Sequence, residues 1–290
     1  MADGIIIKGI GGFYYVDTGY NIIECRARGL FREQKIEPLV GDRVSIRINK
    51  DDGRGYIEEI YPRNTVLTRP PIANVTQLII VMSIDSPKIN LWFLDRLIVI
   101  GHDANLNIII CINKSDIDDE MANEIINMYR NIGYETIKTS TKTKEGIDKL
   151  YCLLQNQISV FSGPSGVGKS SLLNAINPNL NLRTGEISKK LSRGKHTTRH
   201  VELFKLQENT YVSDTPGFSN LDLNHIDANR LDTYFIDIYR SSQQCKFSNC
   251  LHINEPDCNV INEVKNNKIY KSRYENYVSI LNEIKNNRRF

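Results

Sequence analysis

Four short segments of this chain carry the residue types that bind a nucleoside triphosphate. The first, residues 163–170, reads Gly-Pro-Ser-Gly-Val-Gly-Lys-Ser and fits the phosphate-loop pattern G-x-x-x-x-G-K-[ST] without deviation. Its glycines let successive backbone N–H groups turn towards phosphate oxygens, and the N-terminus of the following helix adds partial positive charge. We predict that Lys169 reaches the β- and γ-phosphates and that Ser170 binds Mg²⁺. The predicted phosphate-binding residues are Gly163, Pro164, Ser165, Gly166, Val167, Gly168, Lys169, Ser170 and Ser171.

The second segment, Asn113-Lys114-Ser115-Asp116, indicates which base is bound. The Asp116 carboxylate can accept hydrogen bonds from the N1–H and the exocyclic N2 amine of guanine. Adenine offers an acceptor at N1 and nothing at C2, so the mismatch costs several kcal/mol. Alone, this four-residue pattern also fits a loop with a helix cap. Beside a phosphate loop it favours guanine.

Two further segments complete the expected guanine-nucleotide site. Residues 139–142 (Thr-Ser-Thr-Lys) resemble the Ser-Ala-Lys loop that covers O6 of guanine, so Ser140 and Thr141 are candidate base contacts. Thr141 replaces alanine, which is tolerable because the contact is normally made by a backbone N–H. Residues 214–217 fit Asp-x-x-Gly. We expect Asp214 to hold the metal through water and the Gly217 N–H to contact the γ-phosphate.

The order of these segments along the chain is itself informative. Ordinary GTPases place the phosphate loop first and Asn-Lys-x-Asp near the end, whereas here Asn113 precedes Gly163 and Asp214 comes last. The same pocket can therefore form from a circularly permuted chain. In that order, the Asp-x-x-Gly segment leads directly into the C-terminal region.

A metal site is predicted from cysteine spacing near the C-terminus. The chain has six cysteines, and Cys245, Cys250 and Cys258 lie within fourteen residues together with His252. Three thiolates and one imidazole at this spacing suit tetrahedral Zn²⁺ in a small domain that lacks a large core. The alternative is three unrelated thiols.

The elements that must position these residues fall into three predicted domains. Residues 1–68 show short alternating strands and glycine turns typical of an all-β OB-fold barrel. After Pro70-Pro71, residues 69–225 alternate apolar runs with helical patterns, as in an α/β phosphate-loop domain. Residues 226–290 are mostly helical and contain the candidate zinc ligands. The fold class is therefore multidomain.

Composition excludes several classes of protein. Hydrophobic residues make up 40% and charged residues 24%, which excludes a disordered or collagen-like chain. We expect no membrane span, because apolar runs are interrupted by charges. We expect no secretion signal, because the N-terminal Met-Ala-Asp-Gly lacks a basic region followed by an apolar one. Lys and Arg outnumber Asp and Glu by seven to three in residues 26–50, six to one in 183–200 and seven to three in 259–290. Such surfaces suit a polyanion such as RNA, or are simply solvated faces.

The C-terminal region ends in a predicted helix with a packed apolar stripe. The stripe comprises Tyr270, Tyr274, Tyr277, Leu281 and Ile284. Basic residues around it, Arg273 among them, are expected to be available for phosphate contacts.

Together these motifs resemble the ribosome-small-subunit-dependent GTPase A (RsgA) family of circularly permuted GTPases. The resemblance covers the barrel, the permuted core and the Cys-x₄-Cys-x-His-x₅-Cys pattern. It implies a GTPase that binds the small (30S) ribosomal subunit and its 16S rRNA and acts late in maturation of that subunit. It further implies subunit-stimulated turnover of GTP to GDP, one structural zinc ion and Mg²⁺ bound with GTP. We expect a cytoplasmic monomer.

The hydrolytic group is less evident, because Phe218 occupies the position where Ras-like enzymes carry a water-orienting glutamine. The Gly-Lys-His-Thr-Thr stretch at 194–198 resembles a family motif. That resemblance implies that His196 positions the water and that Thr197 or Thr198 completes the Mg²⁺ shell, with Thr198 preferred here. Alternatively, His196 contacts RNA. Either way, we expect slow hydrolysis alone and faster hydrolysis when a partner orders this loop.

Two rival functions stay open from the sequence. One is a GTP-gated RNA-binding module with negligible turnover, which Phe218 suggests. The other is a permuted GTPase that acts on the large subunit or on a different RNA.

Overall fold

The computed structural model of the chain describes residues 1–33, 36–49, 51–68, 70–182, 201–214 and 223–287. The chain forms two compact units, each assembled from segments that are distant in sequence. The first unit comprises Met1–Leu78, Ile147–Ser162 and Lys169–Phe218, and the second comprises Ile79–Gly146, Gly163–Gly168 and Ser219–Phe290.

The first unit contains a closed five-stranded barrel in the order β1-β2-β3-β5-β4, which confirms the predicted N-terminal barrel. Strands β3 and β5 pair in parallel, and the other neighbours pair antiparallel. Strand alternation buries Ile6, Val16, Ile46 and Ile57 completely. The elements are β1 (Ala2–Ile10), β2 (Phe13–Asp17), β3 (Ile22–Ala27), α1 (Gly29–Glu33), β4 (Arg43–Ile48) and β5 (Gly55–Ile60).

The rest of the first unit is an α/β part. Strand β11 (Ile158–Ser162) pairs in parallel with β13 (Thr210–Asp214), and β12 (Phe204–Gln207) pairs antiparallel with β13. Both β11 and β13 are predominantly buried, as their apolar sequences predict. This part also contains the hairpin β6 (Val66–Thr68) and β7 (Pro71–Ala73), helices α4 (Ile147–Leu154) and α5 (Lys169–Ile176), and a 3₁₀ segment (Pro178–Leu180).

A buried carboxylate joins the barrel to the hairpin formed by β12 and β13. Asp17, at the end of β2, is only 4% exposed. Its Oδ2 accepts hydrogen bonds from the Tyr211 hydroxyl and the Lys205 ammonium, both at 2.8 Å, and its Oδ1 accepts one from the Gly19 N–H at 2.9 Å. Burial raises the pKa of Asp17, but these three donors outweigh it and hold the pKa below its ordinary value of 3.8.

A second link joins the same two parts of the first unit. Lys8 of β1 forms an ion pair with Glu202 at 2.9 Å, and the Leu203 N–H donates to the Ile7 carbonyl at 2.8 Å. Strand β1 therefore continues its pairing into the chain that leads to β12.

The Asp17 contacts predict a dependence of stability on acid pH. Because the folded-state pKa of Asp17 is lowered, its contribution is present above the unfolded-state pKa of about 4 and is lost as the pH falls through the folded-state value. We expect Asp17→Asn to lower the urea midpoint of the first unit at pH 7 and to flatten its decline below about pH 5. Urea midpoints measured from pH 3 to 7 check this.

The matched control for this prediction is Asp51→Asn, an exposed aspartate in the turn between β4 and β5. It should leave both the midpoint and its pH profile close to those of the wild type. An Asp17→Asn profile that runs parallel to the wild-type profile would show that this carboxylate does not govern acid unfolding.

The second unit contains strands in the order β10-β9-β8, with β9 and β10 parallel. Strand β8 is buried along its whole length, as its apolar run predicts; its first two residues belong to the first unit. Asn90 caps the N-terminus of α2 by accepting from the Phe93 N–H, and Asp118 caps α3 in the same way from Met121. The elements are β8 (Gln77–Ser83), α2 (Leu91–Asp103), β9 (Asn107–Asn113), α3 (Asp119–Ile132) and β10 (Glu135–Thr139).

The C-terminal part of the second unit is helical, as predicted. A 3₁₀ segment (Ala228–Tyr234) is followed by α6 (Ile236–Ser242), α7 (Asn259–Lys265) and α8 (Lys271–Asn287). In α8, Tyr277, Leu281 and Ile284 are buried, as the stripe predicts, whereas Tyr270 precedes the helix and is 41% exposed. No helix among the described residues has the length and apolar character needed to cross a membrane.

Arg273 corrects one expectation about the basic C-terminal helix. Its side chain is completely buried and is unavailable to a phosphate group. The guanidinium instead pairs with Asp95 of α2, also completely buried, and with Asp237 of α6 at 2.9 Å. Burial lowers the pKa of Arg273, but the two carboxylates outweigh it and hold the pKa well above its ordinary value. The pairing ties α8 to α2 and α6.

Candidate functional site

Asn113 connects the loop after β9 to the phosphate loop within the second unit. Its side chain is 1% exposed; its Nδ2 donates to the Val167 carbonyl at 2.8 Å and its Oδ1 accepts from the Thr139 hydroxyl at 3.1 Å. A Cβ atom on Gly168 would lie 2.5 Å from Asn113 Nδ2. Position 168 therefore has to be glycine for this contact to form.

Lys114 lies along the phosphate loop. Its ammonium donates to the Gly166 carbonyl at 2.9 Å and to the Ser86 carbonyl at 2.6 Å, where Ser86 belongs to the loop after β8. These two carbonyls set the separation between the Asn-Lys-x-Asp segment and the phosphate loop.

Asp116 is held in place by the loop after β10. The Ser140 hydroxyl donates to Asp116 Oδ1 at 2.6 Å, and the Lys142 ammonium lies 3.7 Å from Oδ2. The Ser140 bond is the main reason that the pKa of Asp116 is lowered, with Lys142 contributing in the same direction. Thr141 lies between them in the same turn. Asp116 therefore carries an ionised carboxylate, the acceptor that guanine requires.

Glu145 contacts both loops that are predicted to bind the base, the one that carries Ser115 and the one that carries Ser140. The sequence did not predict this role. Glu145 Oε2 lies 3.1 Å from the Ser115 hydroxyl, and its backbone carbonyl accepts from the Ser140 N–H at 3.0 Å. Ser115 itself is completely buried. The carbonyl of Ser86 was missed as well, because a backbone acceptor leaves no trace in side-chain chemistry. Glu145 could be suspected from its place in the loop that carries Ser140.

The glycines of the phosphate loop take backbone conformations that other residues avoid. Gly163, Gly166 and Gly168 have φ values of +145°, +86° and +98°. A Cβ atom on Gly163 would lie 2.0 Å from the Val81 carbonyl oxygen. The loop of residues 163–168, which includes Pro164 and Ser165, therefore depends on its glycines at these positions.

The residues predicted for the metal side of the nucleotide lie together in the first unit. Lys169, Ser170 and Ser171 begin helix α5, and the Ser170 hydroxyl donates to Asp214 Oδ2 at 2.7 Å. Burial lowers the pKa of Lys169, and Asp214 offsets this only in part. A desolvated ammonium gains strongly from an anionic ligand. His196, Thr197, Thr198, Gly217 and Phe218 lie outside the described residues.

The four predicted metal ligands form a compact cluster. The ligand atoms of Cys245, Cys250, His252 and Cys258 all lie within 4.8 Å of one another. His252 Nδ1 is 3.6 Å from the Cys245 sulfur and 3.5 Å from the Cys258 sulfur, and these two sulfurs are 3.9 Å apart. Tetrahedral zinc with Zn–S bonds of about 2.3 Å requires sulfurs about 3.8 Å apart. The cluster therefore fits a tetrahedral metal ion.

Burial disfavours thiolates at this cluster unless a cation accompanies them. Burial raises the pKa of Cys250 to about 12 and raises that of Cys258 in the same direction. Several thiolates cannot share such a site without a compensating positive charge, which a divalent metal supplies.

These features define the class of protein. A glycine-dependent phosphate loop, an Asn-Lys-x-Asp segment bonded to it and an Asp-x-x-Gly aspartate at the end of β13 are the parts of a P-loop GTPase, and their order along the chain is circularly permuted. Residues 60–224 match the family model described as RsgA GTPase, and residues 3–57 match the model described as RsgA N-terminal domain. The chain belongs to the RsgA GTPase family, which confirms the resemblance inferred from its motifs.

Full-length relatives and solved structures agree with this assignment. The small ribosomal subunit biogenesis GTPase RsgA of Alkaliphilus metalliredigens (strain QYMF) is 44% identical, with all of both chains covered. The protein of the same name from Geobacillus sp. (strain WCH70) is 48% identical over 98% of both chains. The crystal structure of YloQ, a circularly permuted GTPase, is similar with a TM-score of 0.83 and 39% identity over 99% of this chain and 96% of that chain. The crystal structure of YjeQ from Thermotoga maritima is similar with a TM-score of 0.85 and 38% identity over 98% of both chains.

Proposed function

We propose that this protein is a GTPase that binds the small ribosomal subunit and acts late in its maturation, hydrolysing GTP to GDP and phosphate. The observation that carries the nucleotide assignment is the hydrogen-bonded connection from Ser140 through Asp116 to the phosphate loop, made by Asn113 and Lys114. Relatives that match over essentially the whole chain are named small ribosomal subunit biogenesis GTPase, which supports the assignment to small-subunit biogenesis.

The residue roles follow from the chemistry of each group. Guanine is bound by the segment around Asp116 and the loop around Ser140, and the phosphates by the loop of residues 163–171. Mg²⁺ neutralises charge on the phosphates when bound, and Ser170, Asp214 and Thr198 would hold it. Lys169 stabilises negative charge that develops on the phosphates during hydrolysis. The guanine contacts are Asn113, Lys114, Ser115, Asp116, Ser140 and Thr141.

Hydrolysis needs a group that orients water, and the chain offers His196 rather than a glutamine for this task. Phe218 has no hydrogen-bonding atom in its side chain, so it cannot act on water. We assign the positioning of water to His196 and the contact with the γ-phosphate to the Gly217 N–H. Ordering of this segment by the ribosomal subunit then accounts for stimulated turnover.

We propose that the N-terminal barrel and the C-terminal helical domain bind RNA. We place the domain limits at residues 1–68 for the RNA-binding barrel, 69–225 for the GTPase domain and 226–290 for the helical domain. Their basic surfaces suit the phosphates of 16S rRNA. A protein whose substrate complex is the ribosomal subunit works in the cytoplasm, and we propose that it does so as a monomer.

The metal in the cysteine cluster is proposed to be one structural zinc ion. Cys245, Cys250, His252 and Cys258 fill all four positions of a tetrahedral site, which is typical of structural rather than catalytic zinc. Elemental analysis of the purified protein should find one zinc ion per chain.

Subunit-stimulated turnover is the test of the proposed function. With saturating GTP, we expect purified small subunits to raise the rate of phosphate release by roughly tenfold or more, because a partner that completes a GTPase site can contribute far more than this. Large subunits should leave the rate unchanged. The control, Lys169→Ala, should show neither the basal nor the stimulated rate.

Each rival predicts a different result in the same assay. A passive GTP-gated module would release no phosphate above background with either subunit. A GTPase of another ribonucleoprotein would respond to large subunits or to neither.

A further inference from the structure

His252, one of the four candidate metal ligands, has a backbone conformation that residues other than glycine rarely adopt. Its φ is +60°, in the left-handed region that costs a side-chain-bearing residue of the order of 1 kcal/mol or more. Such a conformation persists only where neighbouring groups fix it. The same conformation directs His252 Nδ1 towards the sulfurs of Cys245 and Cys258.

One carboxylate fixes the backbone on both sides of His252. Glu255 Oε1 accepts a hydrogen bond from the Leu251 N–H at 2.8 Å, and Oε2 accepts from the N–H groups of Ile253 at 2.8 Å and Asn254 at 3.0 Å. Both carboxylate oxygens are therefore engaged by the backbone. Charge-assisted bonds of this kind are about twice as strong as neutral ones.

Two tyrosines of α8 hold the opposite side of the same turn. The Tyr274 hydroxyl donates to the His252 carbonyl at 2.8 Å, and the Tyr277 hydroxyl donates to the Leu251 carbonyl at 3.1 Å. Glu255 thus bonds N–H groups of residues on both sides of His252, and the two tyrosines of α8 bond the carbonyls of Leu251 and of His252 itself. Of these partners, only Glu255 bonds to amides on both sides of the ligand.

We propose that Glu255 is a positioning residue for the zinc site: it holds the turn that presents His252 to the metal, without binding the metal itself. This inference rests on the proposed presence of zinc. Outer groups that orient metal ligands typically change metal affinity 10- to 100-fold when removed. Because Glu255→Gln replaces one acceptor oxygen with an NH₂ group, it breaks one side of the clamp while preserving side-chain size.

The experiment measures release of zinc from full-length protein to a chromophoric chelator, 4-(2-pyridylazo)resorcinol. We expect Glu255→Gln to release zinc roughly tenfold faster than the wild type. The matched control is Asp257→Asn, which removes an exposed carboxylate from the same loop, where it pairs with Lys246 at 3.0 Å. It should release zinc within about twofold of the wild-type rate. In the cobalt-substituted proteins, only Glu255→Gln should shift the visible absorption bands, because only it alters ligand geometry.

The outcomes separate this inference from the zinc proposal. If wild-type protein contains no zinc, the zinc proposal and the inference both fail. If wild-type protein holds zinc and Glu255→Gln releases it at the wild-type rate, the positioning role alone is wrong. If Glu255→Gln does not accumulate as folded protein, amide hydrogen exchange in zinc-loaded wild type decides: protection of Leu251, Ile253 and Asn254 supports the clamp, and exchange at the rate of exposed amides overturns it.

Discussion

The Asp116→Asn protein will prefer xanthine nucleotides to guanine nucleotides. The ionised carboxylate of Asp116 accepts hydrogen bonds from guanine. Asparagine would place an NH₂ group at this position, and because that group and the exocyclic amine of guanine are both donors, they cannot bond to each other. Xanthine carries a carbonyl at C2 and accepts from that NH₂ group. Loss of a buried complementary pair costs several kcal/mol, so we expect GDP affinity to fall by roughly 10²- to 10⁴-fold and XDP affinity to rise.

The geometry around Asp116 leaves the rest of the site undisturbed by this substitution. In the wild type the Ser140 hydroxyl lies 2.6 Å from Asp116 Oδ1. The asparagine of the variant keeps one side-chain oxygen, which can still accept this hydrogen bond. Dissociation constants for GDP and XDP measured by titration check the prediction. Asp118→Asn is the control, because asparagine caps α3 as well as aspartate does and the charge change is the same. A variant at 116 that still selects guanine would remove this residue from base recognition.

The second large effect is on stability, from Arg273→Ala. Arg273 and Asp95 are both completely buried and paired, and Asp237 completes the cluster. Removing the guanidinium leaves the Asp95 carboxylate buried without its counter-charge. Breaking a buried ion pair in this way costs about 3–5 kcal/mol. We therefore expect the second unit to lose about that much unfolding free energy.

Trp92 provides the measurement. It is the single tryptophan of the chain and lies in α2, the helix that carries Asp95. Its fluorescence during urea unfolding therefore follows the element that the cluster holds. Lys271→Ala, on the same helix as Arg273, is the control: this exposed lysine pairs with Glu275 at 3.7 Å, and its loss should cost less than about 0.5 kcal/mol. A loss below about 1 kcal/mol in Arg273→Ala would show that the buried carboxylates do not depend on the guanidinium.

The phosphate loop and the metal cluster could be predicted from sequence because their chemistry is local. The glycines at 163, 166 and 168 encode backbone turns directly, and the four metal ligands lie within fourteen residues. The barrel and the buried strands followed from periodicity, since alternation and apolar runs report burial. In each case the pattern that allows the prediction lies within one short stretch of the chain.

Contacts between distant segments could not be predicted in this way. Arg273 resembled its basic neighbours in sequence, and only the carboxylates of Asp95 and Asp237, contributed by other helices, make its burial favourable. Glu145 could be suspected from its place in the loop that carries Ser140, but its contact with Ser115, thirty residues earlier, could not be predicted. Tyr270 fitted the apolar stripe but lies outside the helix, because helix boundaries are set by tertiary packing rather than by periodicity.

The hydrogen bonds of Asp17 limit when the barrel can dock during synthesis of the chain. Its partner Tyr211 lies 194 residues further along the chain, as far as Glu202 lies from Lys8. At a synthesis rate of about 5–20 residues per second, Tyr211 is made roughly 10–40 s after Asp17, and Glu202 follows Lys8 by the same interval. During that interval Asp17 lacks its hydroxyl and ammonium donors, so the barrel can dock onto the hairpin only when translation is nearly three-quarters complete.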